Sequence, residues 1–355
     1  MKAISIKSKG QVQIEDLPIP TPGPGFVLNK VLFCSICGAD VERLYGAHWD
    51  LQNEDQLSKL RGTIQGHEHV CRVEAVGPGV TNLKVGDRVV DVHVPCGRCY
   101  YCLRGMGDLC MGGRVRGYPY DGTPSPYPNA NRHGAMAEYT LRPAASQLKV
   151  PDSVSDEEAA MTEPLATGVT AVHSAGIRIG DSVVVIGVGH IGLMVLAAAK
   201  AAGAAPLIAV DKINARLDVA RQVGANIVLN PNETDVLQRV VDITQAGPDV
   251  VFVCVSSQAP GVVGQAFETV RREGRVILVG NAAPETLPFG KWLTKEVRVE
   301  GVVHMGEKMF PSLKLMEFRR VNIRPVITEI VPLVEAQRGF DSLHTGKNIA
   351  VLLKP

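Results

Sequence analysis

Four of the chain's eight cysteines fall within fifteen residues, in the run Cys96-Gly97-Arg98-Cys99-Tyr100-Tyr101-Cys102 closed by Cys110. Tetrahedral zinc takes four thiolates converging at about 2.3 Å from the metal. Two-residue gaps let a tight loop aim successive sulfurs inward, and the longer gap to Cys110 brings the chain back to close the cage. A cage of this kind leaves no open coordination position, so it holds structure rather than doing chemistry. An iron–sulfur cluster competes, because ferredoxin-type runs open with the same spacing. Those runs continue with x3-Cys-Pro, whereas here seven residues intervene and Met111 follows. Disulfides fit poorly: residues 1–7 alternate like a strand and lack the apolar core of a secretory signal, so a reducing cytoplasmic setting is expected.

Two further groups carry potential ligands: Cys34-Ser35-Ile36-Cys37-Gly38-Ala39-Asp40 and Gly66-His67-Glu68-His69. A thiol, an imidazole and a carboxylate from loops of one domain suit a catalytic zinc, which keeps three protein ligands and one open position. A lone loop histidine is more often a surface or hydrogen-bonded residue. The nearby four-cysteine cage adds weight to the metal reading.

A third motif, Gly187-Val188-Gly189-His190-Ile191-Gly192, follows a continuous buried-strand run at 182–186 and opens an alanine-rich segment. In that context G-x-G-x-x-G is a dinucleotide-binding turn. Gly187 permits the tight turn, Gly189 lets the backbone approach a pyrophosphate at the helix N-terminus, and Gly192 lets helix and strand pack closely. Asp211 closes the next strand, where its carboxylate can accept the ribose hydroxyls and repel a 2′-phosphate. NAD is therefore favoured over NADP, with Lys212 and Arg216 pulling the other way because either could partner a phosphate.

The 355 residues suffice for two domains, and 45% apolar with 21% charged residues describes an ordinary globular chain. A net charge of +1 gives no reason to expect nucleic acid or an anionic membrane as partner. The longest apolar stretch, around 193–205, is too short to span a bilayer and is interrupted by Lys200 and Gly203. Residues 1–110 read as short β-segments punctuated by Gly and Pro, a small barrel or sandwich. Residues 112–134 read as an irregular loop. Ser155 with Glu158 three residues on has capping-box spacing before a helix. From residue 181 onward six strand-like segments alternate with helical ones, which argues for an α/β doubly wound parallel sheet of the Rossmann type. The end of the chain, 310–355, is expected to return to the first domain and complete it.

Taken together, Cys37-Gly38-x-Asp40, Gly66-His67-Glu68, the four-cysteine lobe, Gly134-x-x-Ala137-Glu138-Tyr139, Glu163-Pro164-Leu165 and the Gly187–Gly192 turn resemble the zinc-dependent medium-chain dehydrogenase/reductase superfamily. The resemblance covers essentially the whole chain in order. It implies a β-rich GroES-like catalytic domain at 1–165, an NAD-binding Rossmann domain at 166–298 and a return segment at 299–355. It further implies one catalytic zinc on Cys37 and His67, one structural zinc on the four-cysteine lobe, and a homodimer or homotetramer acting on a small alcohol or ketone. Glu163 stands where one branch places a cysteine ligand, and a glutamate there resembles the polyol, sorbitol and threonine dehydrogenase branch. Glu68 would be a nearby or transient ligand, Asp40 would orient His67, and Thr167 and Thr170 would lie near the nicotinamide.

The chain also departs from the family pattern. Ser or Thr usually follows Cys-Gly and passes the substrate proton outward, whereas this chain has Ala39. The family's frequent histidine three residues further on is Glu42. Glu42, His48, Glu163 or water would then have to carry the proton. The leading expectation is an NAD-dependent zinc dehydrogenase acting on a secondary alcohol of a polyol, sugar, cyclitol or amino alcohol. A specialised ketone reductase and a catalytically silent nucleotide- and zinc-binding relative are the alternatives, and Ala39 is the residue that keeps both open.

Overall fold

The computed structural model describes residues 1–46, 64–92, 95–110, 134–255, 259–282, 286–287, 289–302 and 308–355. His48 and most of the 112–134 loop lie outside the described residues.

The chain divides into two units, Met1–Glu163 with Ile327–Pro355, and Pro164–Val326. The first opens with an antiparallel hairpin, β1 (Lys2–Ser8) and β2 (Gln11–Asp16). The strand β3 (Phe26–Ser35) runs straight into helix α1 (Gly38–Tyr45). Then come β4 (Glu68–Val76), β5 (Arg88–Asp91), β6 (Tyr139–Pro143), β7 (Gln147–Lys149) and the short helix α2 (Asp156–Ala160). Ser155 caps α2 as its spacing predicts: its side chain accepts from the Glu158 N–H at 3.2 Å.

The second unit starts inside α3 (Thr162–Ala175). It continues through β8 (Val183–Ile186), α4 (His190–Ala201), β9 (Leu207–Val210), α5 (Asn214–Val223), β10 (Ile227–Leu229), α6 (Val236–Thr244) and β11 (Val250–Val253). After α7 (Val262–Thr269) come β12 (Arg275–Leu278), α8 (Phe289–Lys295), β13 (Arg298–Gly301) and α9 (Met309–Glu317). The strands stand in the order β10-β9-β8-β11-β12-β13, all parallel. Strands β8, β9 and β11 are buried along their whole length, which is why they read as unbroken Val/Ile/Leu/Ala/Phe runs rather than alternating ones.

The chain then re-enters the first unit with β14 (Ile327–Pro332), α10 (Ala336–His344) and β15 (Ala350–Lys354). The larger sheet of that unit runs β14-β15-β3-β4-β5-β7, with β6 also on β3. One core, including Ile4, Val31, Ile36, Met136, Leu333, Phe340 and Val351, joins the early and late segments.

The return begins at Ile327, not at 299. Strand β13 pairs in parallel with β12, so the boundary expected at 298 falls at the start of a strand of the second sheet, and α9 stays with that unit. The segment's local apolar pattern says that it is amphipathic, not which sheet it covers.

Candidate functional site

The four-cysteine lobe is built from two single-turn 3-10 segments, Cys102–Arg104 and Gly107–Leu109. Its sulfurs converge: Cys99 to Cys102 is 3.5 Å, and Cys96 to Cys102 and Cys99 to Cys110 are each 3.9 Å. Four thiolates at 2.3 Å from one zinc stand about 3.8 Å apart along a tetrahedron's edges, so the donor set fits the ion in number, type and spacing. The Cys96 N–H also points at Cys110 Sγ, 3.2 Å away. The Arg98 backbone N–H holds the Cys96 thiol below its ordinary value. Desolvation, followed by hydrogen bonds to Cys110 and Cys99, pushes Cys102 up to about 12. A cation would be needed to make all four thiolate together.

The second cluster lies where β3 meets α1 and where β4 begins. Gly66 has φ +100, and a Cβ there would lie 2.7 Å from Cys34 Sγ and 2.8 Å from the Met136 backbone N. Only glycine lets the chain turn this close to residues 134–137 and present His67. Cys37, His67 and Glu68 each bring one ligand atom to within 4.8 Å of the others. Glu163, in the first turn of α3, adds a carboxylate oxygen 3.8 Å from His67 Nε2. On the other side of the ring, Asp40 Oδ1 lies 4.0 Å from Nδ1. Asp40 also anchors the cysteine, since its Oδ2 accepts the Cys37 backbone N–H at 3.3 Å and completes a capping box on α1. The sequence reading took Cys37-Gly38-x-Asp40 as a ligand motif and missed that it starts a helix; the signal was the three-residue gap to the aspartate, disguised by a cysteine at the cap.

The electrostatics call for a cation. Desolvation, then Glu68, Asp40 and Glu163, push the Cys37 thiol well above its usual value. Desolvation likewise raises Glu68 to about 7, against the opposing effect of hydrogen bonds to Ser35 and Cys37. A sulfur, an imidazole nitrogen and carboxylate oxygens, crowded with acidic groups, form a donor set that fits zinc. Glu42 sits farther along α1, partly exposed, and Ala39 supplies no hydroxyl.

In the second unit Gly187 has φ +86 and leads from β8 into α4. A Cβ on Gly192 would stand 1.9 Å from the Gly187 carbonyl oxygen, whereas one on Gly189 meets nothing nearer than Arg216 Nη1 at 3.7 Å. Gly187 and Gly192 are thus glycine for the fold, and Gly189 leaves open space over the N-terminus of α4, beside Ile191. Asp211 is buried; its Oδ2 accepts from the Val188 N–H and its Oδ1 from the Ile213 N–H, both at 2.9 Å. Each carboxylate oxygen keeps a second acceptor site. Arg216 Nη1 lies 3.7 Å from Asp211 Oδ2, and Lys212 is exposed. Desolvation pushes His190 down to about 4, so the imidazole at the head of α4 is neutral near pH 7. Thr167 is buried in α3, and the Thr170 hydroxyl donates to the Ala166 carbonyl at 2.8 Å.

Two family models match: residues 23–152 match the alcohol dehydrogenase GroES-like domain and residues 191–318 match the zinc-binding dehydrogenase. The chain is 36% identical over 342 residues to an L-threonine 3-dehydrogenase of Pyrococcus horikoshii, covering 94% of this chain and 92% of that one. It is 34% identical over 351 residues to a D-xylulose reductase A of Aspergillus niger, covering 97% and 93%. An alcohol dehydrogenase from Thermus sp. ATN1 superposes with a TM-score of 0.85 at 32% identity, covering 100% and 99%. Matching in both units and along nearly its full length, the chain belongs to the medium-chain alcohol dehydrogenase family, as an NAD(P)-dependent zinc oxidoreductase acting on CH–OH groups.

Proposed function

We propose that this chain oxidises a secondary hydroxyl of a polyol or amino alcohol with NAD as acceptor, and that Cys37, His67 and Glu163 hold its catalytic zinc, with Glu68 within reach of the same ion. The observation that carries this reading is the convergence of one thiol, one imidazole and two carboxylates beside the N-terminus of α1. Relatives named as an L-threonine 3-dehydrogenase and a D-xylulose reductase support the substrate class. A bound zinc would act as a Lewis acid on the substrate hydroxyl and lower its pKa.

The protein's own groups do the rest. Asp40 Oδ1, 4.0 Å from His67 Nδ1, favours the tautomer that turns Nε2 toward the cluster, and its other oxygen accepts the Cys37 backbone N–H. Alanine at 39 offers the departing proton no hydroxyl at that position. We assign that transfer to Glu163, whose carboxylate already faces the imidazole. Cys96, Cys99, Cys102 and Cys110 hold a second, structural zinc. Gly189 and His190 receive the pyrophosphate, and Asp211 receives the ribose and disfavours a 2′-phosphate. None of the eight cysteines joins another in a disulfide, which suits a reducing cytoplasm. Among the described residues β13 is an edge of the six-stranded sheet, and there copies would join as a homodimer or homotetramer.

The test is nicotinamide reduction by zinc-replete protein, with NAD and NADP, across polyols, sugars, cyclitols, amino alcohols and simple secondary alcohols. Turnover with NAD on a polyhydroxylated or amino alcohol is expected, and Glu163→Gln should slow it and shift its pH profile. Silence across the panel, with zinc and NAD bound, would favour the second reading, a nucleotide-binding relative disabled at Ala39.

A further inference from the structure

Residues 308–324 hold five basic side chains, Lys308, Lys314, Arg319, Arg320 and Arg324, against the single acidic Glu317. That is a net +4 in a chain whose total is +1, so everything else sums to −3. The whole-chain charge hides a local concentration of positive charge.

The segment is also apolar on its open side. On α9, Phe310, Lys314 and Phe318 recur every four residues, so they line one helical face that continues just past the helix end at Glu317. The opposite face, with Met309, Leu313 and Met316, is buried in the second unit. Phe310 is 56% exposed and Phe318 is 65% exposed. Lys314 Nζ lies 5.6 Å from one ring centroid and 5.5 Å from the other, bridging the two aromatics, and pairs with Glu317 Oε2 at 2.7 Å, which leaves Arg320 and Arg324 to carry the charge of this face. Arg320 and Arg324 are exposed just beyond, where a 3-10 turn at Arg324–Val326 packs on α5.

We propose that this face docks the protein onto an anionic phospholipid surface, with Phe310 and Phe318 entering the headgroup boundary while Arg320 and Arg324 meet lipid phosphates. The charge selects an anionic partner, and the rings decide which kind. Nucleic acid would use aromatic faces to stack bases. Here one ammonium occupies a face of each ring, leaving the rings to present apolar edges. Phenylalanine has no polar group to satisfy at a hydrated protein interface, but it is well matched to the acyl boundary beneath charged headgroups.

The experiment sediments the full-length, zinc-loaded protein with large vesicles of phosphatidylcholine alone or mixed with phosphatidylglycerol, at low and high salt. Binding is expected only to the anionic vesicles and should weaken as salt rises. Arg320→Gln/Arg324→Gln should weaken partition roughly thirtyfold. Phe310→Ser/Phe318→Ser should abolish whatever binding survives high salt. Both variants should keep the parent's thermal midpoint and dehydrogenase rate, which shows that they fold. Equal binding to neutral vesicles, or no loss in the charge variant, overturns the proposal. So does dissociation of an oligomer by the phenylalanine variant with no vesicle binding by the parent, because a second copy would then be the occupant of this face.

Discussion

The three glycines of the dinucleotide turn look equivalent in sequence, yet the structure separates them into two tasks. A methyl on Gly192 would sit 1.9 Å from the Gly187 oxygen and 2.9 Å from its carbonyl carbon. Ordinary contact is about 3.5 Å or more, so helix and turn must move apart by well over an ångström, and both partners are backbone. Gly192→Ala should cost about 3 kcal/mol or more, at the upper end of overpacking changes. At about 2–4 °C per kcal/mol, the second unit's melting transition should drop by roughly 6–12 °C. Gly189 has φ −76 and ψ −159, open to any residue, and nothing crowds it. Gly189→Ala should keep stability within about 1 kcal/mol, because the weaker cap and the stiffer unfolded chain nearly cancel. Its methyl would instead occupy the approach of the pyrophosphate and weaken dinucleotide binding by about a hundredfold. Calorimetry and NADH fluorescence titration on the two variants read the two effects separately. If Gly189→Ala binds NADH like the parent, or melts as early as Gly192→Ala, the division of labour is wrong.

Other perturbations follow from the same geometry. Arg142 is 1% exposed, and its Nε lies 3.0 Å from Asp91 Oδ2. Arg142→Met should cost about 3–5 kcal/mol by stranding a carboxylate that burial already pushes upward, and adding Asp91→Leu should recover most of it in urea unfolding. Cys102→Ser should lower bound zinc from about two to about one per chain by elemental analysis, and should open residues 96–110 to limited proteolysis. His190 titrates near 4 in the folded protein against an ordinary 6.5, so between those values the unfolded chain binds the extra proton. Stability should therefore fall as pH drops through that window, by at most about 1.4 kcal/mol per pH unit, and His190→Gln should flatten the slope in denaturation curves taken at about pH 5 and about pH 7.

What could be read from the residues alone was whatever is written locally. Strands β8, β9 and β11 announced themselves because burial on both faces removes polar residues from the run. The cysteine cage was legible because metal geometry limits spacing. Contacts between distant residues were not legible. Nothing around Arg142 reveals that it pairs with Asp91, or that Gln147 links that carboxylate at 2.7 Å to Asn29 at 2.8 Å. Asp211 could be placed at the end of its strand, but not its two backbone donors, because an N–H has no sequence signature. The same holds for Asp40, whose bond to the Cys37 N–H and approach to within 4.0 Å of His67 Nδ1 depend on β3 delivering a capped helix to the side of Gly66. The boundary near 298 was misplaced for a related reason: an amphipathic segment states that it has a covered face, and only the assembled sheets decide what covers it.

Strand β3 pairs with β4, with β6 and with β15, and the Ile36 N–H is bonded to the Val351 carbonyl at 3.0 Å. The approach to Cys37 is thus pinned by residues almost at the end of the chain. On the ribosome this sets an order of events. The second unit is one continuous stretch, Pro164–Val326, and can close as soon as it emerges. The first unit begins earlier and closes later: β6 covers Phe26–Lys30 of β3, but its Cys34–Ser35 end stays unpaired on that side until residues 352–353 have been made. Whatever protects that stretch in the growing chain, whether a chaperone or simple speed of translation, must do so until β15 has been made, and Ile36, next to Cys37, gains its Val351 partner only then.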